Sequence, residues 1–384
     1  MEHLINEHVR GIEISGIRKF ANMVAGIEDM VSFTLGQPDF PTPGHVKQAG
    51  IRAIEENATA YTHNAGDLSL RQAAAKFVKT KYSLDYDPES EVIVTIGASE
   101  AIDITLRTIL APGTEVLLPG PVYPGYEPLI RLCGAKPVHI DTRQSQFKMT
   151  AGLINNALTE KTRCIILPYP SNPTGVTLSK AELKEIADLL RGRDIFILAD
   201  EIYSELAYDH PHVSIASFLR EQTIVINGVS KSHSMTGWRI GFVFAPVWLA
   251  KQILKVHQYN VTCASSVSQR AALEALTTGI NDAGAMRKEY KKRRAFVCSR
   301  LEEIGLQYVK PDGAFYFFVQ LPESCTLSSF DFAVALAEKN KVAVVPGSAF
   351  SKYGEGYFRM SYACSMDNLE KGLSRMQNFI KKKS

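Results

Sequence analysis

Lys231 lies between two apolar runs of the sequence, where its amine is a candidate for a chemical reaction and not simply a surface charge. Lys231 follows the β-branched run Thr223-Ile224-Val225-Ile226-Asn227, which predicts a buried strand. A second apolar run begins at residue 240, and small residues and a methionine fill the space between. Burial disfavours the ammonium form, so such a lysine is a candidate for a depressed pKa, and an uncharged amine can form a Schiff base with a carbonyl. The alternative is an unreactive loop lysine between two strands.

The elements that must position this lysine alternate along the middle of the chain. Candidate helices lie near 99–110, 123–133, 150–158, 179–191 and 247–257, and residues 44–82 look helical with a break at 61–66. Such alternation predicts an α/β domain with helices on both faces of a mostly parallel sheet. Its seven predicted strands are 92–96, 115–118, 136–140, 164–167, 195–199, 223–227 and 240–245.

Small, aromatic and polar residues follow several of these strands. In open α/β sheets, ligands bind beyond the carboxyl ends of the strands, so we expect these residues to meet at one edge. The groups are Gly97-Ala98-Ser99, Tyr123, Asn172, Asp200 with Tyr203, and Ser230-Lys231. The first of them opens a helix, whose N–H groups and dipole form a phosphate cradle. A phosphate site, a ring to stack, a carboxylate and a lysine together are the inventory for pyridoxal phosphate (PLP).

Each group also has a purely structural alternative. The Gly97-Ala98-Ser99 turn is compatible with a simple helix cap, and Tyr123 with an interface aromatic. Asn172, which precedes a proline, is compatible with a turn former. Asp200 is compatible with an ion pair to a neighbouring lysine or arginine. These alternatives stay open when each residue is taken alone, and the combination favours the cofactor.

The length and composition predict two domains and an N-terminal arm. The 384 residues suffice for more than one core, and the pattern changes after residue 285. A charged helix at 287–304 is followed by strands at 314–319, 342–345 and 356–361 and helices at 328–339 and 367–380. We therefore predict an arm over 1–43 packing on the small domain, a large domain over 44–285, and a small α+β domain over 286–384.

Composition argues against several classes of protein. The net charge is +3 and the pI is about 8.4, which gives no argument for nucleic acid binding. No run approaches a membrane span, and the acidic start is unlike a signal peptide, so we expect a cytoplasmic protein. No CxxC pair occurs and no metal site is expected. The cysteines are expected to be free thiols in a reducing compartment: Cys133, Cys164, Cys263, Cys298, Cys325 and Cys364.

The sequence resembles the fold-type I, class I and II aminotransferases, the aspartate aminotransferase-like family. Its motifs follow the family order over nearly the whole chain. Within the family it most resembles the bacterial aminotransferase A group, associated with N-acetyl-L,L-diaminopimelate and lysine biosynthesis. The motifs are Gly-Gln-Pro-Asp-Phe at 36–40, Tyr61 with Gly66, Gly97-Ala98-Ser99, Tyr-Pro-Ser-Asn-Pro-Thr-Gly at 169–175, Asp-Glu-Ile-Tyr at 200–203, Ser-Lys-Ser-His-Ser-Met-Thr-Gly-Trp-Arg-Ile-Gly at 230–241, Asp-Gly-Ala-Phe-Tyr at 312–316, Pro-Gly-Ser at 346–348 and Phe-Arg-Met-Ser at 358–361.

The resemblance implies a role for each residue around the cofactor ring. Lys231 would hold PLP covalently and act as the catalytic base and acid. Asp200 would keep the pyridine nitrogen protonated, so that the ring serves as an electron sink. Asn172 and Tyr203 would hydrogen-bond the phenolic oxygen, and Tyr123 would stack on the ring, where well-known family members often carry Trp.

The resemblance also implies roles around the phosphate and the substrate. Arg359 would bind the substrate α-carboxylate through its two-pronged guanidinium, assisted by Gly36 and Asn172. The family fold further implies a homodimer in which Tyr61 reaches the partner's cofactor phosphate. The phosphate of the chain's own cofactor would be held by Ala98, Ser99, Ser230 and Arg239.

The activity implied is transfer of an amino group between an L-amino acid and a 2-oxo acid by a ping-pong mechanism. Glutamate and 2-oxoglutarate are the expected first pair, and an N-acylated diaminopimelate is a candidate for the second. A PLP-dependent C–S β-lyase is the alternative on the same fold, since fold does not settle reaction type. A second carboxylate on the substrate would need another cation, for which Arg18, Lys19 and Arg131 are candidates.

Two other classes are disfavoured. A PLP-sensing transcription regulator needs a DNA-binding domain before this fold, and the first motif already begins at Gly36. A nicotinamide-dependent dehydrogenase needs a G-x-G-x-x-G turn after a strand, and none is present in the sequence.

Overall fold

The computed structural model describes residues 1–381, so Lys382 and Lys383 of the basic tail lie outside the described residues. The strands are β1 (Val31–Ser32), β2 (Val92–Thr95), β3 (Glu115–Gly120), β4 (Lys136–Asp141), β5 (Thr162–Leu167), β6 (Phe196–Asp200), β7 (Thr223–Gly228), β8 (Gly241–Phe244), β9 (Tyr308–Val309), β10 (Tyr316–Gln320), β11 (Val342–Ala343), β12 (Val345–Pro346) and β13 (Tyr357–Ser361).

Helices precede, separate and follow these strands. They are α1 (Glu7–Arg10), α2 (Gly16–Val24), α3 (Gly44–Glu55), α4 (Leu68–Tyr82), α5 (Gly97–Ile109), α6 (Tyr126–Leu132), α7 (Ala151–Ala157), α8 (Lys180–Leu190), α9 (Val229–Ser232), α10 (Val247–Val261), α11 (Ser266–Leu276), α12 (Ala283–Ile304), α13 (Ser329–Asn340) and α14 (Met366–Lys381). Within residues 1–381, none of these helices is both long and apolar enough to cross a bilayer.

The large sheet confirms the predicted α/β fold with a seven-stranded, mostly parallel sheet. Its strand order is β2-β8-β7-β6-β5-β3-β4, and β8 runs antiparallel to both of its neighbours while the other pairs are parallel. Successive residues of β6 and β7 belong to hydrophobic clusters on opposite faces, with Ile197 and Val225 in one and Leu198 and Ile224 in the other. Burial on both faces explains why these strands read as continuous apolar runs.

The C-terminal part forms a smaller α+β unit, as predicted. Its antiparallel sheet has the order β12-β13-β10-β9. The prediction of one strand over 342–345 was wrong, because β11 and β12 join different sheets. Val342 pairs with Val31 of β1, whereas Val345 pairs with Arg359 of β13. The two-residue strands β1 and β9 were not predicted, since so few residues carry no periodic signal.

The N-terminal arm shares a hydrophobic cluster with this smaller unit. Phe20 of α2 and Phe33 are fully buried in the same cluster as Leu336 of α13 and Leu373 of α14. The division into residues 1–43, 44–285 and 286–384 remains a proposal, and its second boundary falls inside α12, near that helix's first turn.

Two local predictions in the large unit needed correction. Lys231 was predicted on a loop, but it lies in α9, a single helical turn that begins directly after β7. Four residues are too few to show a helical period in the sequence. Helix α11 was also not predicted, although Ser265 caps it by accepting a hydrogen bond from the Ser268 N–H.

Candidate active site

A cavity of about 530 Å³ lies at the carboxyl ends of the large sheet's parallel strands. The small unit contributes Tyr316 and Arg359 to its wall, and the arm contributes Ile17 and residues 34–37. The structure therefore brings together the site residues predicted from sequence, with the exception of Tyr61. Those lining the cavity are Gly36, Ala98, Ser99, Tyr123, Asn172, Asp200, Tyr203, Ser230, Lys231, Arg239 and Arg359.

Positive charge dominates the cavity wall. Among residues 1–381, the ionisable side chains other than tyrosines that line it are the cations Lys231, Arg239 and Arg359 and a single carboxylate, Asp200. A concave site with an excess of cations concentrates anions. The wall is therefore suited to a ligand that carries phosphate or carboxylate groups.

Lys231 is half-buried, and its amine is held by the arm. Its Nζ donates a hydrogen bond of 2.6 Å to the backbone oxygen of Gly36. The pKa of the Lys231 amine is lowered to about 8, mainly by burial and also by the nearby positive charges of Arg239 and Arg359, while Asp200 opposes the shift. A lysine with this pKa has an appreciable neutral fraction at physiological pH, as nucleophilic attack on a carbonyl requires.

Asp200 ends β6 and is buried beneath the cavity. Its Oδ2 accepts a hydrogen bond of 2.6 Å from the Tyr126 hydroxyl, and its Oδ1 accepts one of 3.3 Å from the Ile202 N–H. Burial raises the pKa of Asp200, and the hydrogen bond from Tyr126 opposes the rise. Asp200 forms no ion pair within residues 1–381, so a protonated ring nitrogen would be a suitable partner for it.

The first turn of α5 and the segment before β8 form a cradle at one end of the cavity. Gly97 has φ of +75°, and a Cβ there would lie 2.5 Å from Nη2 of Arg239. A Cβ on Gly241 would lie 2.5 Å from the carbonyl carbon of Gly97. The two glycines thus let the guanidinium approach the helix N-terminus, where N–H groups and the helix dipole favour an anion.

In the described part of the chain, the guanidinium in this cradle forms hydrogen bonds only to backbone oxygens. Arg239 donates to the oxygens of Thr236 at 3.0 Å and Ile96 at 3.4 Å, and it makes no ion pair within the described residues. Ala98, Ser99 and Ser230 line the cavity around it. This arrangement of a cation, hydroxyls and a helix N-terminus fits a phosphate group.

Arg359 lies on β13 at the opposite side of the cavity and is only 2% exposed. Its Nη1 donates to Oδ1 of Asn172 at 2.9 Å, and its Nη2 donates to the oxygen of Thr34 at 2.7 Å. Its buried Nε has no hydrogen-bond partner, and within the described residues no carboxylate pairs with it. Burying an unpaired guanidinium is costly, so Arg359 is suited to bind an anionic ligand.

Four tyrosines among the described residues line the cavity. The hydroxyl oxygens of Tyr203 and Tyr316 lie 2.9 Å apart, and burial raises the pKa of both groups. Tyr123 lines the cavity wall with its ring 5.5 Å from that of Tyr126, at an angle of 87°. A flat aromatic ligand could stack against Tyr123.

Sequence reasoning missed several residues of the site. Tyr126 lies three residues after Tyr123, and Tyr316 ends a motif that had been noted without a role. Gln37 stood in the motif at 36–40 without a role, and Thr34 lies just before that motif. Their contacts depend on elements far apart in the chain, which no local pattern reveals.

Tyr61 lies outside the cavity and is 85% exposed in this chain. It lines a separate depression with Cys263 and other residues before and within the first turn of α11. The proposed distal cations do not line the cavity either: Lys19 pairs with Glu13, and Arg131 pairs with Glu127. Arg18 is exposed on α2 and likewise lies outside the cavity wall.

The residues present fit PLP. The cradle accommodates a phosphate, Tyr123 offers a ring for stacking, and the buried carboxylate of Asp200 is placed to pair with a cation. Lys231, with a pKa of about 8, is suited to bond with an aldehyde. These groups would hold the phosphate, the ring, the ring nitrogen and the carbonyl carbon of the cofactor, respectively.

Comparisons with known proteins agree with this inventory. Residues 28–376 match the model of the family described as aminotransferase class I and II. The chain is 64% identical to a probable N-acetyl-LL-diaminopimelate aminotransferase of Bacillus subtilis, over 100% of this chain and 97% of that protein. It is 40% identical to an aromatic-amino-acid aminotransferase of Thermococcus litoralis, over 99% of each.

Solved structures show the same fold. The aspartate aminotransferase of Thermus thermophilus with maleate superposes with a TM-score of 0.93 at 33% identity, covering 97% of this chain and 99% of that one. An aromatic aminotransferase of Pyrococcus horikoshii gives a TM-score of 0.89 at 40% identity, covering 94% and 99%. The chain therefore belongs to the class I and II aminotransferases and is a PLP-dependent aminotransferase of the aspartate aminotransferase-like fold.

Proposed function

We propose that this enzyme moves an amino group between glutamate and the 2-oxo acid of an N-acetylated L,L-diaminopimelate, in lysine biosynthesis. The 64% identical relative, named a probable N-acetyl-LL-diaminopimelate aminotransferase, supports the second pair. The observation that carries substrate binding is Arg359, a buried guanidinium without an anionic partner among the described residues, in the same cavity as Lys231. An amino acid held there by its α-carboxylate shares the cavity with the reactive amine.

The placement of the residues near the ring supports the roles that we propose for them. When bound, PLP supplies an electron sink that stabilises negative charge at the substrate Cα. Lys231 holds the cofactor covalently, and Asp200 holds its ring nitrogen, with Tyr126 fixing the carboxylate at 2.6 Å. Tyr203 and Asn172 would hydrogen-bond the phenolic oxygen, and Tyr123 would offer its ring for stacking.

The anionic ends of cofactor and substrate are held by opposite sides of the cavity. Arg359 binds the α-carboxylate, and the backbone of Gly36 assists. Oδ1 of Asn172 orients the guanidinium from a distance of 2.9 Å. The cofactor phosphate is held at the first turn of α5 by Ala98, Ser99, Ser230 and Arg239.

The proton at the substrate Cα is moved by the Lys231 amine. Its pKa of about 8 allows it to accept this proton near neutral pH and to return it later. The hydrogen bond of 2.6 Å to the Gly36 oxygen gives the free amine a fixed position beside the substrate. The same residue thus serves attachment and proton transfer.

The assembly and location are also part of the proposal. We propose a homodimer in which Tyr61, 85% exposed in a single chain, reaches the partner's cofactor phosphate. An exposed tyrosine beside the N-terminus of α11 is suited to an interface. We propose a cytoplasmic location, which the six free cysteines support.

The function is tested by single half-reactions of the PLP-loaded enzyme. Excess glutamate should release one equivalent of 2-oxoglutarate per site and convert the cofactor to its aminated form, as followed by absorbance. N-acetyl-L,L-diaminopimelate should also convert the cofactor to its aminated form, with release of its own 2-oxo acid, and should do so faster than free L,L-diaminopimelate, which serves as the matched control. Borohydride reduction of the resting enzyme, followed by peptide mapping, should mark Lys231.

Three outcomes would contradict separate parts of the proposal. Glutamate that releases no 2-oxoglutarate would reject the first pair. Equal rates with acetylated and free diaminopimelate would reject the second pair. Pyruvate and ammonia formed from cystathionine, faster than any transamination, would show a C–S β-lyase instead.

A further inference from the structure

Tyr316 contacts two other residues of the active site and lies near a third, although the predicted roles do not include it. It is the first residue of β10, is completely buried, and lines the cavity. Its hydroxyl lies 2.9 Å from that of Tyr203, and its ring centroid lies 4.4 Å from Cζ of Arg359. A Cβ added to Gly36 would come within 3.4 Å of the same hydroxyl.

The ring of Tyr316 packs against the guanidinium of Arg359, to which we assign substrate binding. A cation at this distance over an aromatic face is attracted by the ring, and more strongly where water is excluded. Phe350 lies on Arg359 as well, with its centroid 5.1 Å from Cζ. These two rings and the oxygen acceptors of Asn172 and Thr34 fix the position of Arg359 in the absence of a carboxylate.

The hydroxyl of Tyr316 lies within hydrogen-bond distance of the Tyr203 hydroxyl, so it bears on the direction of the Tyr203 proton. Burial raises the pKa of both phenols, so each keeps its proton at working pH. The two hydroxyls share one hydrogen bond, so one hydroxyl proton lies between the two oxygens and the other hydroxyl proton remains for a different acceptor. The guanidinium beside Tyr316 has no acceptor atom, so Tyr316 cannot donate to it. The arrangement therefore favours donation from Tyr316 to Tyr203, which leaves the Tyr203 proton for the cofactor.

We propose that Tyr316 is a positioning residue with two separable parts. Its ring seats Arg359 for the substrate carboxylate, and its hydroxyl orients and strengthens the hydrogen bond that Tyr203 donates to the phenolic oxygen of PLP. The inference rests on the proposed function, because it takes the roles of Arg359 and Tyr203 from it. It adds a physical link between the small unit, which carries Tyr316 and Arg359, and the cofactor ring on the large unit.

The two parts are separated by two substitutions in the PLP-loaded enzyme. Tyr316→Phe keeps the ring and removes the hydroxyl. It should raise the midpoint of the pH titration of the cofactor's visible absorbance by about 0.2 to 0.6 pH units. In the wild type, the hydrogen bond from Tyr316 strengthens the one that Tyr203 donates to the phenolic oxygen by some 10–30%, and the variant loses this strengthening. Binding of 2-oxoglutarate, measured by calorimetry, should stay within about twofold of the wild type, since the cation–ring contact remains.

Tyr316→Leu removes the ring as well. It should shift the absorbance midpoint in the same direction and also weaken 2-oxoglutarate binding by about 5- to 30-fold, the value of a desolvated cation–ring contact. The oxo acid carries no amino group to transfer, so the measurement reports binding alone. If glutamate releases no 2-oxoglutarate from the wild-type enzyme, the proposed substrate pair fails, and that result is distinct from the variants behaving alike.

Tyr362→Phe is the matched control. Tyr362 is also a fully buried tyrosine of the small unit, and its hydroxyl contacts Tyr208 and the oxygen of Ala314, away from the cavity. Its loss should lower thermal stability without moving either the absorbance midpoint or the oxo-acid affinity. An unchanged midpoint in Tyr316→Phe, or undiminished binding in Tyr316→Leu, would overturn the corresponding part of the proposal.

Discussion

The depressed pKa of Lys231 leads to a measurable titration in the cofactor-free enzyme. With a pKa of about 8, roughly 9% of the amine is neutral at pH 7, against about 0.04% for an ordinary lysine with a pKa near 10.4. The buried amine should therefore be about 200-fold richer in its reactive form. Attachment of PLP should accelerate with pH up to about 8 and level off above it.

Removing a charge near Lys231 should change the pKa of Lys231 in a direction set by the sign of that charge. Arg359→Met removes a positive charge that lowers the pKa of Lys231, so the pKa should rise toward the ordinary value. Asp200→Asn removes the negative charge that opposes the shift, so the pKa should fall further. The pKa of Lys231 should thus move in opposite directions in the two variants. A general loosening of the fold would move it in the same direction in both, so the pair of variants distinguishes electrostatics from loosening.

Competitive acetylation measures this titration directly. Trace labelled acetic anhydride is added to the cofactor-free enzyme at a series of pH values, and mass spectrometry quantifies the peptide that contains Lys231. Nα-acetyl-lysine in the same mixture is the reference for an unperturbed amine. Lys231 acetylation with the same midpoint as the reference would refute the reasoning, and so would a lower pKa in Arg359→Met.

Three further predictions test the rest of the site. Arg359→Lys should lower kcat/KM by roughly 10- to 150-fold for every amino acid, the cost of a lost charge-assisted hydrogen bond; unchanged kinetics would reject carboxylate binding there. Gly97→Ala should weaken PLP binding by about tenfold or more in calorimetry, because its Cβ displaces the guanidinium in the cradle, whereas Gly113→Ala, with a similar φ and open space around it, should leave binding unchanged. Mixed dimers of Lys231→Ala and Tyr61→Ala chains should regain about half of the wild-type activity, because one of their two sites is whole; no recovery would place Tyr61 in its own subunit's site.

The elements of the large sheet were predictable because its strands are buried on both faces. The run at residues 223–227 has three apolar residues between Thr223 and Asn227 and is buried throughout, and the observed strand β7 covers it with one added residue. Parallel strands end at one edge, so the residues after them had to converge. The short elements were not predictable: α9, which holds Lys231, and the split of residues 342–345 between two sheets depend on neighbours that the sequence does not identify.

By itself, the sequence determined which chemical groups meet at the sheet edge, and hence the cofactor and the family. Tertiary structure alone decided how those groups are held. Tyr126 reaches Asp200 across 74 positions, and Tyr316 reaches Tyr203 across 113. Arg359 contacts the oxygen of Thr34 across 325 positions. A side-chain contact between distant elements leaves no periodic or local signal, because it depends on how the arm, the sheet and the small unit pack together.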